Sequence, residues 1–429
     1  MDYNEKKQKI IDYIKKGEKP KESFKVGVEM EHFIVDFDTL ETVTYFGEKS
    51  VKELMEYLKE KHNYKAHEEN GYILSLSKDG IDIATEPAAQ FEIAIEREKN
   101  INDLSKKYLK VIDEVLEFTE KKNEKIVCLG YHPKTKIDDI KILPKDRYKY
   151  MYEYFKTNGG KYAHNMMKGT ASTQIAIDFC DEKDFSKKYF VANAISPILY
   201  TIFDNSYIFE GEVYDKRNLR QEIWNNCDRQ RTGVYAFSFD KDLSYEKYVE
   251  KILDTDIIFI NENGEDIYKG KTKFVDIMDD NSSDEMIFHA LSIVFPDVRL
   301  KKYIEIRMPD EVLYPLNFSA AALVKGLFYD EENLDNCYKM FNDMTIYSLE
   351  NLKSRTNRYG LFAKYKDKTI KDIALELMQM AKKGLLEDEI QYIDKLEELT
   401  KNNKTPRDVF ERLYKVDKKR AIDEFSLKR

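Results

Sequence analysis

Apolar and polar residues alternate along the segment VGVEMEHFIVD, which covers residues 26–36. A period of two places Val28 and Met30 on one face of a strand and Glu29 and Glu31 on the other. The pattern therefore predicts a one-sided strand that carries two carboxylates next to each other on the same face of a sheet.

Later segments repeat this design. Gln90 and Glu92 share a face in QFEIAIE, and Glu305 shares a face with Arg307 in YIEIRMPDE. The segment TASTQIAIDF, residues 170–179, alternates in the same way. Three separate strands thus carry an acidic residue with a polar partner two positions away, which predicts a sheet with a strongly charged face.

Glu86 stands six residues before Glu92 and directly before Pro87. It shares the face of Glu92 only if the proline leaves the alternation of the strand intact. Upstream, the dipeptide Asp79-Gly80 is typical of a hairpin turn between two strands. The sequence therefore predicts antiparallel pairing in this region and leaves the side of Glu86 open.

Helical periodicity fills the spaces between the strands. It predicts helices over residues 3–16, 49–62, 101–122, 146–157 and 184–209. From about residue 318 onward the pattern is helical and no strand is evident. Since no internal repeat or Gly/Ser linker separates the parts, we expect a catalytic unit over residues 1–330 and a helical C-terminal region over 331–429, packed on the same unit.

The composition indicates a soluble globular protein. Of the 429 residues, 42% are hydrophobic and 35% are charged, and no run approaches the roughly 18 apolar residues of a membrane span. The formal charge of −9 argues against a general nucleic-acid binder, which needs a concentrated basic surface. Because the N-terminal residues lack the apolar stretch of a signal peptide, we expect a cytoplasmic location.

Two interpretations fit the paired carboxylates. Antiparallel strands commonly alternate apolar and polar residues, so the pairs are explained by solvent-facing strand sides. Alternatively, clustered carboxylates repel one another and hold a compensating Mg²⁺ or Mn²⁺ ion, which prefer oxygen ligands. With Arg220, Arg231 and Arg307 as candidate partners, a metal site would suit phosphoryl chemistry. The chain has neither a GxxxxGK[ST] nor a GxGxxG motif, so ATP would be held largely through metal.

Six segments together resemble the glutamate–cysteine ligase family, in particular its plant and proteobacterial branch. They are GVEMEHF (27–33), EPAAQFEI (86–93), TASTQIAIDF (170–179), LRQEIWNNCDRQRTG (219–233), FPDVRLKKYIEIRMPD (295–310) and the late TPRDVFERLY (405–414). The resemblance covers nearly the whole chain. It implies an α+β fold in which a curved, mainly antiparallel sheet forms a cradle flanked by helices, as in glutamine synthetase.

The same resemblance implies roles for individual residues. The carboxylates that would hold two or three Mg²⁺ ions are Glu29, Glu31, Glu86, Glu92 and Glu305. The expected catalytic arginines are Arg220, Arg231 and Arg307. The residues expected to bind substrate or ATP are Gln90, Lys168, Trp224, Arg220 and Arg307.

The implied reaction has two steps: ATP phosphorylates the γ-carboxylate of glutamate, and the amine of cysteine then attacks the acyl phosphate. The expected partners are small molecules, and the protein is expected to be a monomer or homodimer. Two departures from the family pattern bear on the acceptor: Gly169 stands where the family has an arginine, and Met308-Pro309 replaces glycine-alanine. A different amine acceptor and a non-catalytic metal- or nucleotide-binding paralogue are therefore the alternatives.

Overall fold

A computed structural model describes residues 1–262 and 265–429 of the protein. Its strands are β1 (Val26–Asp36), β2 (Lys65–Glu69), β3 (Tyr72–Lys78), β4 (Ile81–Thr85), β5 (Phe91–Glu98), β6 (Glu124–Val127), β7 (Thr173–Ile177), β8 (Ile208–Phe209), β9 (Glu212–Val213), β10 (Thr232–Gly233), β11 (Asp256–Glu262), β12 (Glu265–Lys273), β13 (Phe295–Pro296), β14 (Val298–Leu300), β15 (Ile304–Ile306), β16 (Lys364–Tyr365) and β17 (Lys368–Thr369).

Its α-helices are α1 (Tyr3–Lys15), α2 (Val51–His62), α3 (Ile101–Thr119), α4 (Asp146–Asn158), α5 (Ala163–Gly169), α6 (Glu182–Ala194), α7 (Ser196–Ile202), α8 (Leu219–Asn225), α9 (Tyr245–Leu253), α10 (Phe274–Ile277), α11 (Asp284–Ser292), α12 (Leu316–Phe328), α13 (Glu331–Phe341), α14 (Ile346–Tyr359), α15 (Ile370–Lys383), α16 (Gln391–Lys401), α17 (Pro406–Tyr414) and α18 (Lys418–Glu424). Within the described ranges, none of these helices is long and apolar enough to cross a bilayer.

One nine-stranded sheet organises the molecule. Its strands follow the order β14-β15-β7-β1-β5-β4-β3-β2, and β6 pairs with the end of β1. Every pairing within it is antiparallel. The predicted α+β class with an antiparallel sheet is therefore confirmed, and the alternation seen in β1 matches the bounds predicted for that strand.

The apolar face of the sheet packs against α3 and α12. On β1 this face includes Val28 and Met30, which are buried. Helix α12, with the sequence LNFSAAALVKGLF, is apolar nearly all round and is buried along almost its whole length. A helix without a polar stripe is stable only when other elements cover it on several sides, and here α15 and α16 cover the side away from the sheet.

The predicted helix over residues 184–209 is wrong in its length. The chain forms α6 and α7 separately, and Pro197 lies in the first turn of α7. Proline has no N–H to donate to the preceding turn, so it starts a helix well and continues one badly. After Ile202 the chain leaves the helix and forms β8, which pairs with β9.

The C-terminal region is helical, as predicted, but contains the short β16–β17 hairpin that the pattern did not reveal. The last residues return to the sheet: the Leu427 N–H donates to the Ile126 carbonyl at 2.9 Å, and the Cys128 N–H donates to the Phe425 carbonyl at 2.9 Å. These bonds attach the C-terminal segment to the end of β6. The division of the chain at residue 330 itself stays a prediction.

Candidate active site

Four glutamates converge on the polar face of the sheet. Glu31 of β1 lies directly opposite Glu92 of β5, and Glu29 lies opposite Gln174 of β7. Residues that oppose each other on neighbouring strands share a face, so the register brings these side chains together. Glu29, Glu31, Glu86 and Glu92 line one cavity of about 310 Å³, here called the acidic cavity.

The turn after β4 places Glu86 in this group. Ala84 opposes Glu92 in the β4–β5 ladder, and the N–H of Glu86 donates to the carbonyl of Gln90 at 2.9 Å. The ladder therefore continues to residue 86 with its alternation intact. The chain leaves the ladder only at Pro87, which answers the question that the sequence left open.

Burial and the crowding of like charges raise the pKa values of three of these carboxyls, those of Glu29, Glu31 and Glu92. Burial, followed by the charge of Glu86, raises the pKa of Glu31 to about 7. Burial and the charges of Glu86, Glu29 and Glu31 raise the pKa of Glu92 well above its usual value. Burial and the charge of Glu305 raise the pKa of Glu29. The cavity thus has an excess of anionic oxygen donors, which is the donor set that suits Mg²⁺.

Strand β7 orients Glu31. The N–H and hydroxyl of Ser172, which directly precedes this strand, donate to one carboxylate oxygen of Glu31 at 2.7 and 3.0 Å. The amide of Gln174 donates to the other oxygen at 3.2 Å. These bonds fix the carboxylate plane, so the side chain is positioned before any ligand enters.

Glu305 has a different environment from the other four carboxylates. Arg299 donates through Nε at 2.6 Å, and Arg307 and Lys301 lie 3.0 and 3.1 Å from the carboxylate. Burial by itself raises the pKa of Glu305, but the three cations outweigh it and lower the pKa below its usual value. Its predicted role as a metal ligand stays a prediction, and any metal there would compete with these three cations.

Positive side chains line the acidic cavity together with the glutamates. They are Arg147 of α4, Arg299 of β14, Lys301 and Arg307. The sequence analysis selected only Arg307. The pairing of Arg299 with Glu305 across the β14–β15 hairpin was readable from the alternating charges in VRLKKYIEIR, whereas nothing in α4 distinguishes Arg147 from other helical arginines.

Arg220 and Arg231 lie outside this cavity. Arg220 is buried and donates to the carbonyls of Met308 and Pro309 at 2.9 and 3.1 Å, so it holds the segment after β15. Arg231 is also buried, donates to the carbonyl of Asp256 at 2.5 Å and pairs with Asp228 at 3.0 Å. This placement favours a structural role for both guanidinium groups over the predicted direct contact with substrate.

Gln90 and Trp224 line the acidic cavity, whereas Lys168 does not. The side chain of Gln90 accepts from the Ala88 N–H at 3.0 Å and donates to the Thr170 carbonyl at 3.1 Å, so it also braces the cavity wall. The guanidinium of Arg307 lies 5.7 Å from the centre of the Trp224 ring. The side chain of Lys168 points away from the acidic cavity, and its ammonium group donates to a backbone carbonyl.

The position of Gly169 is filled by a neighbouring ring. A Cβ atom at this residue would overlap the ring of Tyr131. The Tyr131 hydroxyl donates to Glu210 and accepts from the Asn165 amide at 2.9 Å. The absence of a side chain at residue 169 is therefore matched by a bulky neighbour and leaves no empty space for an arginine.

Comparison with known proteins places these features in a family. Residues 25–415 match the profile of glutamate-cysteine ligase family 2 (GCS2). Glutamate–cysteine ligase A of Oryza sativa subsp. indica is 28% identical over 436 residues, covering 97% of this chain and 86% of the relative. The Nicotiana tabacum enzyme is 27% identical over 429 residues, covering 97% and 81%. Both relatives are described as chloroplastic.

A solved structure shares the fold. The crystal structure of glutamate–cysteine ligase from Francisella tularensis, in complex with AMP, matches with a TM-score of 0.57 at 13% identity, covering 94% of this chain and 87% of that chain. The fold and the profile together define a carboxylate–amine ligase. The chain belongs to glutamate-cysteine ligase family 2, as the sequence motifs indicated.

One expectation is contradicted. The N-terminal sequence predicts a cytoplasmic location, but the curated plant relatives that align with 97% of this chain are chloroplastic proteins. The prediction rested on the lack of an apolar N-terminal stretch. That feature marks secretion, whereas plastid transit peptides are amphipathic and rich in Arg and Ser, so its absence carries no information about plastid import.

Proposed function

We propose that this protein uses ATP to join the γ-carboxylate of glutamate to the amine of cysteine, and forms γ-glutamylcysteine. Membership of the family over residues 25–415 supports the reaction class. The single structural observation that carries the proposal is the acidic cavity, which is lined by four carboxylates and four cationic side chains. The AMP complex of the Francisella tularensis enzyme supports the use of an adenine nucleotide.

The carboxylates fit two or three Mg²⁺ ions, with Mn²⁺ as a substitute. Glu29, Glu31, Glu86 and Glu92 would hold them, because these side chains offer oxygen donors; burial and neighbouring negative charges raise the pKa values of Glu29, Glu31 and Glu92, which a bound cation would offset. When bound, Mg²⁺ supplies neutralisation of the nucleotide phosphates. Glu305 is the predicted fifth ligand.

The cationic side chains that line the acidic cavity are suited to the negative charge that the reaction develops. In the first step a γ-carboxylate oxygen of glutamate bonds to the γ-phosphorus of ATP, and the bond to ADP breaks. In the second step the cysteine nitrogen bonds to the acyl carbon, phosphate leaves and the nitrogen loses a proton. Arg147, Arg299, Lys301 and Arg307 would stabilise the transferring phosphoryl group and the departing phosphate.

The test is turnover with a panel of acceptors. The protein is mixed with ATP, Mg²⁺, glutamate and one amine, and ADP release is measured together with the mass of the product. We expect γ-glutamylcysteine with cysteine and, without an amine, no more than one ADP per active site. Turnover with another amine alone assigns a related carboxylate–amine ligase, and nucleotide binding without turnover for any amine assigns a non-catalytic paralogue.

A further inference from the structure

A second group of ligand-type side chains lies behind the acidic cavity, on the apolar side of the sheet. His32 of β1, Cys128 at the end of β6 and Glu311 after β15 are fully buried. Their ligand atoms Nε2, Sγ and a carboxylate oxygen all lie within 4.8 Å of one another. Nitrogen, sulfur and oxygen donors in one small group are the ligand types of zinc sites in proteins.

The histidine presents the correct nitrogen for a metal. Its Nδ1 lies 3.3 Å from the carbonyl oxygen of Phe91, so this nitrogen carries the proton and donates. Nε2 then carries the lone pair, which accepts from the Tyr108 hydroxyl at 2.8 Å, and a bound ion would replace this hydrogen bond. A backbone carbonyl on the remote nitrogen is the usual arrangement around a metal-bound histidine, because it fixes both tautomer and ring orientation.

The glutamate contributes an oxygen that nothing else satisfies. One carboxylate oxygen of Glu311 accepts from the Thr173 hydroxyl at 2.8 Å. The other, Oε1, lies 3.6 Å from His32 Nε2 and receives no hydrogen bond from any residue that the structure describes. A fully buried carboxylate oxygen without a partner is costly, so an atom aimed into the group in this way indicates a missing ligand.

Distances and charges both agree with a d-block ion of the zinc class. Tetrahedral Zn²⁺ with ordinary bond lengths sets its nitrogen and oxygen ligands about 3.4 Å apart, close to the distance between His32 and Glu311. Sγ of Cys128 would approach by up to about 1.2 Å to complete the set. A dication with one thiolate, one carboxylate and a neutral imidazole has no net charge, which is the condition for burial in an apolar core.

We propose that His32, Cys128 and Glu311 form a structural binding site for a zinc-class divalent cation. On binding, Cys128 bonds to the ion through sulfur and Glu311 through a carboxylate oxygen, and the buried thiol and the buried carboxyl each release their proton to solvent, with no change of oxidation state. The Tyr108 hydroxyl, 2.8 Å from His32 Nε2, is the candidate fourth ligand. The ion would join β1, the end of β6 and the segment after β15, and thus brace the back of the sheet.

The test uses full-length protein refolded with Co²⁺ in the presence of excess Mg²⁺, which keeps the acidic cavity occupied. We expect about one Co²⁺ per chain and a thiolate-to-cobalt charge-transfer band in the near ultraviolet. Carboxylate ligands cannot produce this band, so it separates the proposed site from the acidic cavity. If wild-type protein lacks the band under these conditions, the proposal is overturned.

Variants locate the ion. Cys128→Ser and Glu311→Gln should each lower the Co²⁺ content at least tenfold and abolish the rise in Tm that Co²⁺ causes in the wild type. Two controls should keep the Co²⁺ content and the rise in Tm: Cys337→Ser, at another buried cysteine, and Glu92→Gln, in the acidic cavity. Retention of Co²⁺ and its band in Cys128→Ser would contradict the assignment. Loss in Glu92→Gln would place the ion in the acidic cavity instead. Circular dichroism of each variant checks that it folds.

Discussion

Glu92 is a residue at which burial and like charges make the ionised side chain unfavourable. It lies opposite Glu31 and near Glu86, and these charges add to burial in raising its pKa. Like charges directly opposite on neighbouring strands destabilise a sheet. The metal-free protein keeps this cost, which agrees with the proposed role of Glu92 as a metal ligand.

Replacing Glu92 should therefore separate stability from activity. We expect Glu92→Gln to stabilise the metal-free protein by about 0.2–1 kcal/mol at a pH at which the carboxyls of the cavity are ionised, because a like-charge contact is removed. The same variant should lose at least about 100-fold in kcat/KM, because one anionic ligand is lost. Thermal unfolding without Mg²⁺ and the ADP-release assay measure the two effects.

Glu96→Gln is the matched control, since Glu96 lies on the same strand and face but is exposed and does not line the acidic cavity. Its stability and activity should both stay near those of wild type. Full activity in Glu92→Gln would remove this residue from the metal site.

The pKa of Glu31 predicts how pH controls metal binding. Its folded pKa of about 7 lies above the ordinary value of 4.5, so the folded state holds the proton more tightly than the unfolded chain. The stability from this group is complete below pH 4.5 and is lost as the pH rises through 7. Because Mg²⁺ competes with that proton, the increase in Tm caused by Mg²⁺ should grow from pH 5.5 to pH 7.5.

Thermal unfolding over this pH range, with and without Mg²⁺, checks the expectation. Glu31→Gln should weaken the pH dependence of the Mg²⁺ effect. A Mg²⁺ effect that is equal at both ends of the range in wild type would show that the proton on Glu31 is not what the metal displaces.

Gly169 and Tyr131 form a complementary pair. A Cβ at residue 169 overlaps the Tyr131 ring, so Gly169→Ala should cost about 1–3 kcal/mol, as expected for overpacking. Combined with Tyr131→Ala, the glycine substitution should cost much less, because the obstacle is gone. A double-mutant cycle by chemical denaturation measures the coupling, and additive effects would mean that the cost of Gly169→Ala does not come from overlap with the Tyr131 ring.

At the scale of elements, a buried ion pair connects the C-terminal helices to the strands of the site. Nζ of Lys353 on α14 lies 2.8 Å from Asp297, and both side chains are buried. The carbonyl of Asp297 accepts from the N–H of Arg307 at 3.1 Å. Helix α14 thereby helps to place the residue that follows β15.

Breaking this pair should destabilise the protein strongly. Among the residues that the structure describes, Lys353→Met leaves the buried carboxylate of Asp297 with the Tyr200 hydroxyl, 3.1 Å away, as its one side-chain partner, so we expect a loss of about 3–5 kcal/mol. Lys366→Met, which removes an exposed pair with Asp343, should cost less than about 1 kcal/mol. Urea unfolding compares the two, and equal costs would show that burial of the pair adds nothing.

At the scale of the whole molecule, a second hydrophobic cluster joins the C-terminal helices to the sheet. Phe410 of α17 and Phe425 after α18 pack with Phe33 and Val127. The cluster contains residues of β1 and β6 as well as of the C-terminal helices. A substitution that destabilises the C-terminal helices should therefore lower the free energy of unfolding of the whole protein.

Phe410→Ala tests this cooperativity. It should cost about 3–5 kcal/mol, whereas Phe362→Ala, at a residue that is 64% exposed, should have little effect. Trp224, the single tryptophan, lines the acidic cavity, so its fluorescence reports on that part of the protein. On unfolding, this fluorescence and the far-ultraviolet circular dichroism should change in one common transition. Two separated transitions would instead support independent folding of the C-terminal region.

The sequence by itself determined the one-sided strands and the identity of the carboxylates. Side-chain alternation is a local property of extended backbone, so Glu29 with Glu31 and Gln90 with Glu92 were placed on common faces without knowledge of the fold. Motifs spread over the chain also identified the family, since they do not depend on which strands become neighbours.

Only the tertiary structure decided which charges meet. Pairing of β1 with β5 sets Glu31 opposite Glu92, and the β14–β15 hairpin surrounds Glu305 with cations. The tertiary structure also directs Arg220 and Arg231 toward backbone carbonyls, away from the acidic cavity. The direction of a side chain on a helix or in a loop depends on what packs around it, and a pattern along one chain does not contain that information.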